Sequence, residues 1–348
     1  MVDDIRVLIA EDSPTVRLYL KMLINEEQGF RVVGEARDGA EAVTLTQQLR
    51  PDVITMDINM PYVDGLAATR QIMSSCPTPV VVVSGIIGTE VKASLDALES
   101  GALAVLSKLP DRAKPEFPHR RQELLQTLKA MSGVKVIARR EYGHPSPLTK
   151  PVTRPISTRP RPEVVVLGAS TGGPSALQRT VSVLPADFPL PIVIVQHMPD
   201  EFLSGLARWL RASSKLQVLM AHHALELRGG TVYLALGGAH LTLRRRMGKL
   251  TTHLLAEQGQ HRFFPSVNVL FESVAQSCGS SAVAVLLTGM GDDGADGMVK
   301  LRSAGAYTFA QDEKSSTVFG MPNAAIERGA VERIVELANL PAELLKLI

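Results

Sequence analysis

Three kinds of polar residue in the second half of this 348-residue chain follow apolar runs. Ser170 lies in LGASTGGPSAL (167–177), His197 follows PIVIVQ, and the acidic pair Asp292 and Asp293 lies in TGMGDDG after AVAVLL. A serine hydroxyl becomes a nucleophile when a neighbouring imidazole accepts its proton, and a carboxylate orients that imidazole. These residue types predict an esterase-like triad whose acid is either Asp292 or Asp293.

Each part of this triad also has a simpler explanation. A glycine-rich turn commonly binds a phosphate, an isolated histidine is commonly structural, and GDDG is typical of a turn or a cation loop. However, GASTGG (168–173) lacks both the G-x-G-x-x-G spacing and a P-loop lysine. Ser170 also precedes a Gly-Gly-Pro helix start, where free backbone N–H groups can bind an oxyanion. The order Ser, His, acid differs from that of α/β-hydrolases, but the agreement of all three at one sheet edge favours the triad.

A second group of polar residues lies in the first half of the chain, again where apolar runs end. Glu11 and Asp12 follow the first run, Asp57 the third, Ser84 the fourth and Lys108 the fifth. Three converging carboxylates repel one another unless a divalent cation lies among them, and their oxygens suit Mg²⁺. A lysine and a serine opposite that cation predict transfer of a phosphoryl group to Asp57. Helix capping is a simpler explanation for any single acid in this group. It does not explain why all five residues lie where predicted strands end.

Parallel β-sheets can position both groups, because parallel strands bring their carboxyl ends to one edge. Continuously apolar, β-branched runs alternate with helix-period segments, which predicts two doubly wound parallel-sheet α/β domains. The predicted strands are 5–12, 30–36, 52–57, 79–85 and 104–108, then 163–170, 191–199, 216–221 and 281–290. The predicted helices include 15–27, 88–100, 174–184, 202–213, 266–277 and 294–305.

A proline-rich segment separates the two predicted domains. Residues 143–162 contain six prolines and four Lys or Arg but no acid, which predicts an extended, semi-rigid linker. We therefore predict a first domain over residues 1–130, a linker over 131–162 and a second domain over 163–348.

Composition restricts the functional class. The formal net charge of +2 gives no support for a nucleic-acid or membrane partner. The acidic N-terminus has no features of a signal peptide, and the longest apolar run, VVVVSGII (80–87), is too short to span a bilayer. Cys76 and Cys278 are too few and too far apart for a disulfide framework. We predict a cytoplasmic protein.

The first domain resembles the receiver domain of response regulators, since the five strand-end residues all match that family's motif. The resemblance implies a flavodoxin-like fold, Mg²⁺ held by Glu11, Asp12 and Asp57, and phosphorylation of Asp57 by a partner histidine kinase. Two positions depart from the family. Leu109 separates the motif lysine from the following proline, and Val105 stands where an aromatic switch residue is common. Phosphoryl transfer should survive both changes, whereas the spread of the signal from the site is left open.

The second domain resembles the catalytic domain of the chemotaxis protein-glutamate methylesterases, the CheB family. The matching segments are GASTGG, QHMP, GGAHL, PSVNVLF, LLTGMGDDG and AQDEKSSTVFGMPNAA. The resemblance implies a Rossmann-like domain that needs no cofactor for its esterase step. It also implies that Ser170 is the nucleophile, His197 the general base and Asp293 the orienting acid. By the same resemblance, Thr171 and Met290 line the cleft.

One segment of the second domain departs from the family. HRFFPSV (261–267) has two residues between Arg and Pro-Ser-Val, where the family more often has one or none. We expect this difference to reshape a rim loop without affecting the triad.

Together the resemblances predict a response regulator that hydrolyses glutamate methyl esters on chemoreceptors, with deamidation of receptor glutamines as a second reaction. We expect the unphosphorylated receiver to cover the esterase cleft and phosphorylation to open it. We also expect a monomer that neither binds nucleic acid nor inserts into a membrane.

Three other functional classes are weighed against this prediction. The main alternative is a non-catalytic adaptor that binds receptors or the kinase, which a methanol-release assay separates from an enzyme. A DNA-binding regulator is disfavoured because residues 163–348 contain no helix-turn-helix pattern. A nucleotide-dependent oxidoreductase is disfavoured because no acid ends the second strand of that domain.

Overall fold

The computed structural model describes residues 4–85, 96–98, 100–134, 136, 159–256 and 263–348. The chain forms two compact units, Met1–Gly143 and His144–Ile348, and each contains its own parallel sheet. Within the described ranges, no helix is long and apolar enough to cross a membrane.

The first unit contains a five-stranded sheet in which all neighbouring strands are parallel. Its strands are β1 (Ile5–Ala10), β2 (Phe30–Ala36), β3 (Val53–Met56), β4 (Val80–Ser84) and β5 (Ala104–Ser107), in the order β2-β1-β3-β4-β5. Its described helices are α1 (Pro14–Asn25), α2 (Gly39–Leu49), α3 (Gly65–Ser75) and α4 (Phe117–Ser132). Strands β3, β4 and β5 are buried along their whole length, which explains their apolar sequences. This order is the flavodoxin-like one that was predicted.

The strand order of the first sheet reverses between β1 and β3, so the loops after these strands border one crevice. Glu11 and Asp12 follow β1, and Asp57 follows β3. Helix α1 is capped by Ser13, whose Oγ accepts the N–H of Val16 at 3.5 Å. Asp12 therefore does not serve as the N-cap of α1, and its carboxylate is available to the crevice.

The second unit contains a seven-stranded sheet that is also parallel throughout, in the order β14-β13-β12-β6-β7-β9-β8. Strands β10 and β11 form a separate antiparallel hairpin. In chain order the strands are β6 (Val164–Ala169), β7 (Ile192–Gln196), β8 (Gln217–Met220), β9 (Thr231–Leu234), β10 (His240–Arg246), β11 (Lys249–Leu255), β12 (Ala282–Leu286), β13 (Tyr307–Gln311) and β14 (Arg333–Val335).

Helices cover both faces of this second sheet. They are α5 (Gly173–Val181), α6 (Asp200–Ser213), α7 (Val267–Ser277), α8 (Ala295–Ser303), α9 (Met321–Glu327) and α10 (Leu340–Leu345). Side chains of α5, α6 and α10 pack on one face, and side chains of α7, α8, α9 and the hairpin pack on the other. Alternate residues of β6 point to opposite faces of the sheet. Val165 and Leu167 pack in the core with α5, α6 and α10, and Val164 and Val166 pack in the core with α7, α8, α9 and the hairpin. The predicted doubly wound architecture is confirmed.

The sequence patterns found the strands that carry the candidate residues and missed several others. Strand β12 ends at Leu286 rather than at residue 290, because the chain leaves the sheet there to form a loop. Strands β9, β10, β11, β13 and β14 were not predicted, and β9 and β14 contain only 4 and 3 residues. The predicted helix 88–100 lies largely outside the described residues.

Candidate functional site

Ser170 and His197 follow neighbouring strands at the carboxyl edge of the second sheet. Strands β6 and β7 pair as far as Ala169 and Gln196, and the two candidates are the next residues along each strand. The N–H of His197 donates to the carbonyl oxygen of Ala169 at 2.9 Å, which continues the ladder. Asp293 follows β12, which pairs with the other side of β6. The strand order reverses between β6 and β12, so the candidates meet at the topological switch point, where open α/β sheets bind ligands.

The imidazole of His197 contacts only one of the two candidate acids. Its Nε2 lies 2.8 Å from Oδ2 of Asp293, and the side chains are 9% and 5% exposed. Asp292 is 63% exposed and accepts a hydrogen bond from Arg328 at 2.7 Å. The geometry therefore assigns the contact with the imidazole to Asp293, which residue type and spacing had left open.

The carboxylate of Asp293 lies at the N-terminus of helix α7. Besides His197, it accepts the hydroxyl of Ser266 at 2.8 Å and the N–H groups of Val267 at 2.7 Å and Asn268 at 3.0 Å. Although burial opposes ionisation, hydrogen bonds from His197, Asn268 and Ser266 hold the pKa of Asp293 below its usual value. The positive end of the helix dipole acts in the same direction. Asp293 is therefore ionised at neutral pH and can stabilise an imidazolium.

The other nitrogen of the imidazole, Nδ1, is buried and makes no hydrogen bond within the described part of the chain. The structure thus places Ser170 and His197 directly after paired strands, without a hydrogen bond between the serine hydroxyl and the imidazole among the described residues. Gln196 ties the two residues together, because its Nε2 donates to the carbonyl oxygens of Ser170 and His197, each at 2.8 Å.

The turn after β6 has little space for side chains and carries free N–H groups. Gly172 has a φ of +78°, and a Cβ there would collide with Thr317, so glycine is required. The N–H groups of Thr171 and Gly172 in this turn have no acceptor in the part of the chain that the structure describes. The same is true of the N–H of Met290, which lies in the loop after β12. Such groups can bind an oxyanion.

Phe263 covers one face of the His197 imidazole. The two rings are stacked, with centroids 4.3 Å apart and planes at 7°. The next residue, Phe264, packs edge-on against His240 with centroids 4.6 Å apart. Both aromatic residues belong to HRFFPSV, the segment that was expected to leave the triad unaffected. Phe263 therefore contacts the imidazole directly, and the expectation that this segment leaves the triad unaffected stays a prediction.

A second site lies in the first unit, around Lys108. Glu11, Asp12 and Asp57 each offer a carboxylate oxygen, and these atoms lie within 4.8 Å of one another. Nζ of Lys108 lies 2.8 Å from Asp57 and 2.9 Å from Glu11. The N–H of Lys108 also donates to the carbonyl oxygen of Ser84 at 2.9 Å. The structure therefore brings all five predicted residues to one edge of the first sheet.

The electrostatics of this edge fit a cation and an anionic ligand. Burial, reinforced by the charge of Asp57, raises the pKa of Glu11. Burial opposes protonation of Lys108, but hydrogen bonds to Asp57 and Glu11 outweigh it and raise the lysine pKa. The Ser84 hydroxyl is buried with no hydrogen-bond partner among the described residues. Three carboxylates are a donor set that Mg²⁺ prefers, and an unpartnered hydroxyl at the same edge of the sheet suits a phosphoryl oxygen.

Comparisons with known proteins identify both regions. Residues 165–344 match the family model for the CheB methylesterase, and residues 7–114 match the model for the response regulator receiver domain. The chain belongs to the CheB methylesterase family. Among its relatives, protein-glutamate methylesterase/protein-glutamine glutaminase 4 of Myxococcus xanthus (strain DK1622) is 45% identical over 344 residues, 98% of this chain and 96% of the relative.

Two further comparisons support membership of the CheB family. The protein-glutamate methylesterase/protein-glutamine glutaminase of Nitrosospira multiformis is 42% identical over 348 residues, 99% of this chain and 97% of the relative. The crystal structure of the Thermotoga maritima CheB methylesterase catalytic domain is 37% identical, with a TM-score of 0.53. It covers 54% of this chain and 99% of the solved chain.

Three residues of this CheB site were not singled out from the sequence. Ser266 had a usable signal, since a serine directly before an apolar helical run is typical of an N-cap. Gln196 precedes His197 in sequence, but a glutamine at this position does not by itself indicate that its side chain donates to two carbonyl oxygens. Phe263 was visible only as a departure from the family, and its contact with the imidazole depends on loop geometry.

Proposed function

We propose that this CheB-family protein hydrolyses the methyl esters of glutamate side chains on chemoreceptors. Ser170 is the nucleophile, His197 the general base and Asp293 the residue that orients the base. The observation that carries this proposal is the 2.8 Å contact between Nε2 of His197 and Asp293, which leaves Nδ1 of the imidazole without a partner among the described residues. The names of the relatives, which combine protein-glutamate methylesterase and protein-glutamine glutaminase, support the choice of substrate.

Ester hydrolysis begins with acyl transfer to the enzyme. Oγ of Ser170 attacks the ester carbonyl carbon, and the hydroxyl proton passes to Nδ1 of His197. The carbonyl oxygen becomes an oxyanion, which the N–H groups of Thr171, Gly172 and Met290 bind. The carbon–methoxy bond then breaks, and the methoxy oxygen takes the proton from the imidazolium and leaves as methanol. A glutamyl ester of the serine remains.

Water completes the reaction by the same route. It attacks the glutamyl ester as its proton passes to His197, and the serine oxygen leaves with that proton. The product is a glutamate side chain, which ionises in solution. With glutamine in place of the ester, ammonia leaves instead of methanol, so deamidation is a second reaction of the same residues.

The first unit would control this activity through phosphorylation. A histidine kinase supplies a phosphoryl group to Asp57. Glu11, Asp12 and Asp57 would hold Mg²⁺, which would neutralise charge on that group. The ammonium of Lys108 and the hydroxyl of Ser84 bind phosphoryl oxygens. The modification replaces the singly charged carboxylate by an acyl phosphate with a charge of about −1.5 to −2, and this change raises esterase activity by shifting the protein towards an active conformation.

We place this activity in the cytoplasm. Cys76 and Cys278 are both unpaired thiols in the structure, which suits a reducing compartment. We further propose that the protein acts as a monomer, without a nucleic-acid partner and without membrane insertion.

Methanol release from a methylated receptor fragment tests the proposal. Ser170→Ala is expected to lower kcat by on the order of a millionfold, because a triad without its serine cannot form the acyl intermediate. Ser182→Ala is the matched control, since it removes a hydroxyl beyond the far end of α5. Near-normal release by Ser170→Ala would refute the assignment. A wild-type protein that binds receptors and releases no methanol would favour the adaptor.

A further inference from the structure

The hairpin of β10 and β11 has a buried face and an exposed face. Leu241 and Leu243 lie on the buried face, within the core that includes α7. Arg244 and Arg246 alternate with them along β10 and are exposed, and Arg246 pairs across the turn with the exposed Lys249. Because alternate residues and cross-strand partners share a face, these three cations lie together. We call Arg244, Arg246 and Lys249 the basic face.

The positive charge of the basic face is largely uncompensated. Its two arginine side chains form no hydrogen bond or ion pair within the described part of the chain. Lys249 contacts one carboxylate, that of Glu226, at 2.9 Å. Arg245 belongs to the opposite face and is already paired with Glu163 at 2.6 Å. Three cations against one carboxylate leave the basic face free to bind an anionic partner.

The turn of the hairpin adds an exposed apolar side chain to these cations. Met247 and Gly248 have φ angles of +49° and +80°, so both turn residues have left-handed backbone. This conformation is unfavourable for methionine because its Cβ crowds the carbonyl oxygen, and Asn or Gly commonly occupies it. Met247 is nevertheless present and 93% exposed. A flexible thioether between cations suits a partner that carries both carboxylates and apolar groups.

Strand β10 begins beside the catalytic residues, is buried over its first four residues and becomes exposed only from Arg244 onwards. His240, the first residue of β10, has the same register as Arg244 and Arg246, and its Nδ1 accepts the N–H of Ser266 at 3.1 Å. The hydroxyl of Ser266 in turn donates to Asp293. From His240 to Arg246 the strand advances about 20 Å. A protein segment that occupies the cleft must therefore extend about 20 Å along the hairpin to reach the basic face.

We propose that the basic face docks the acidic surface of the protein substrate at a point about 20 Å along the hairpin from the glutamate being hydrolysed. This inference rests on the proposed esterase function. A substrate with several esterifiable glutamates carries carboxylates wherever they are unesterified, so its surface complements Arg244 and Arg246 in charge. Exposed charges of this kind act mainly on association, and hence on KM, rather than on the chemical step.

The full-length variant R244E/R246E tests the docking face against a matched control. R179E/K215E makes the same change of charge on the other face of the sheet, in the last turn of α5 and just before β8. Methanol release is measured on a methylated receptor fragment and on a small neutral substrate, the γ-methyl ester of N-acetylglutamate α-amide. For R244E/R246E we expect KM for the receptor fragment to rise about tenfold and to lose most of its salt dependence. We expect kcat and hydrolysis of the small ester to be unchanged, and the control to behave as wild type.

Several outcomes would overturn the docking face while leaving the proposed function intact. One is an unchanged KM, or an equal rise in the control. Another is loss of small-ester hydrolysis by R244E/R246E, since the substitutions would then act on the catalytic residues. A third is that R244E/R246E keeps the KM of the wild type but no longer binds duplex DNA or a second copy of the chain. That result would assign the basic face to the partner whose binding is lost. A wild-type protein that hydrolyses neither substrate contradicts the proposed function itself.

Discussion

The phenyl ring of Phe263 lies parallel to the imidazole of His197, with centroids 4.3 Å apart and planes at 7°. Asp293 holds the same imidazole by one edge, at Nε2, with a 2.8 Å contact. A single edge contact leaves the ring free to tilt about it, and the stacked phenyl ring restricts that tilt. Phe263 therefore limits the orientations in which Nδ1 can meet the hydroxyl of Ser170.

Replacement of Phe263 by leucine should impair proton transfer more than substrate binding. Stacking of two rings contributes about 0.5–1.5 kcal/mol, so we expect Phe263→Leu to lower kcat about three- to tenfold with little change in KM. Phe263→Tyr keeps the ring and should restore kcat. Steady-state methanol release gives both parameters. Equal kcat losses in the two variants, or an effect on KM alone, would argue against this role.

Ser266 is expected to contribute both to stability and to catalysis. Its hydroxyl donates to Asp293 at 2.8 Å and accepts the N–H of Val269 at 3.4 Å as the N-cap of α7. Ser266→Ala should lower the free energy of unfolding by about 1 kcal/mol and also lower kcat. Trp209 is the single tryptophan of the chain and lies in the second unit, so its fluorescence during urea titration reports this unit.

A matched control for Ser266 exists in the first unit. Ser13→Ala removes the N-cap of α1, a comparable loss far from the esterase residues in the chain. It should leave both kcat and the Trp209 transition unchanged. If Ser266→Ala alters stability but not kcat, the contact between Ser266 and Asp293 has no catalytic role.

The depressed pKa of Asp293 predicts a defined pH dependence of stability. Because its folded-state pKa lies below the ordinary value of 3.8, ionised Asp293 stabilises the folded protein fully above that value. The contribution is lost as pH falls through the lower, folded-state pKa. Asp293→Asn should therefore be less stable than wild type at pH 7, and the difference in unfolding free energy should shrink towards acidic pH. A difference that stays constant from pH 7 down to pH 3 would contradict the linkage.

Phosphorylation at Asp57 should couple the first unit to the esterase. With a small phosphodonor and Mg²⁺, wild-type protein should incorporate phosphate and release methanol faster. Asp57→Asn should neither incorporate phosphate nor release methanol faster. Chelation of Mg²⁺ should likewise prevent both responses in the wild-type protein. Asp52→Asn is the control, because Asp52 precedes β3 and accepts the N–H of Arg6 at the other end of the strand. Full activation of Asp57→Asn would place the phosphorylation site elsewhere.

Most of the architecture follows from local patterns. Uniformly apolar strands such as β3, β4 and β12 are buried on both faces, and this burial is what predicts parallel sheets covered by helices. Short or alternating strands were missed because they lack such a run: β14 has only 3 residues, and the outer end of β10 is arginine. Burial leaves a strong compositional signal, whereas edge strands and hairpins leave a weak one.

The sequence by itself determined which polar residues end which strands, and therefore which side chains share an edge of each sheet. Strand order and parallel pairing make that result nearly independent of loop detail. Residue type and spacing left Asp292 and Asp293 open, and the family resemblance implied Asp293. Only the tertiary structure showed that Asp293 contacts His197, that Nε2 is the nitrogen used, and that Phe263 covers the ring. His197 and Asp293 are 96 residues apart in sequence, and their contact depends on loop backbone and side-chain rotation. Such contacts carry no periodic signal, because packing between distant segments sets them rather than the preference of any local run.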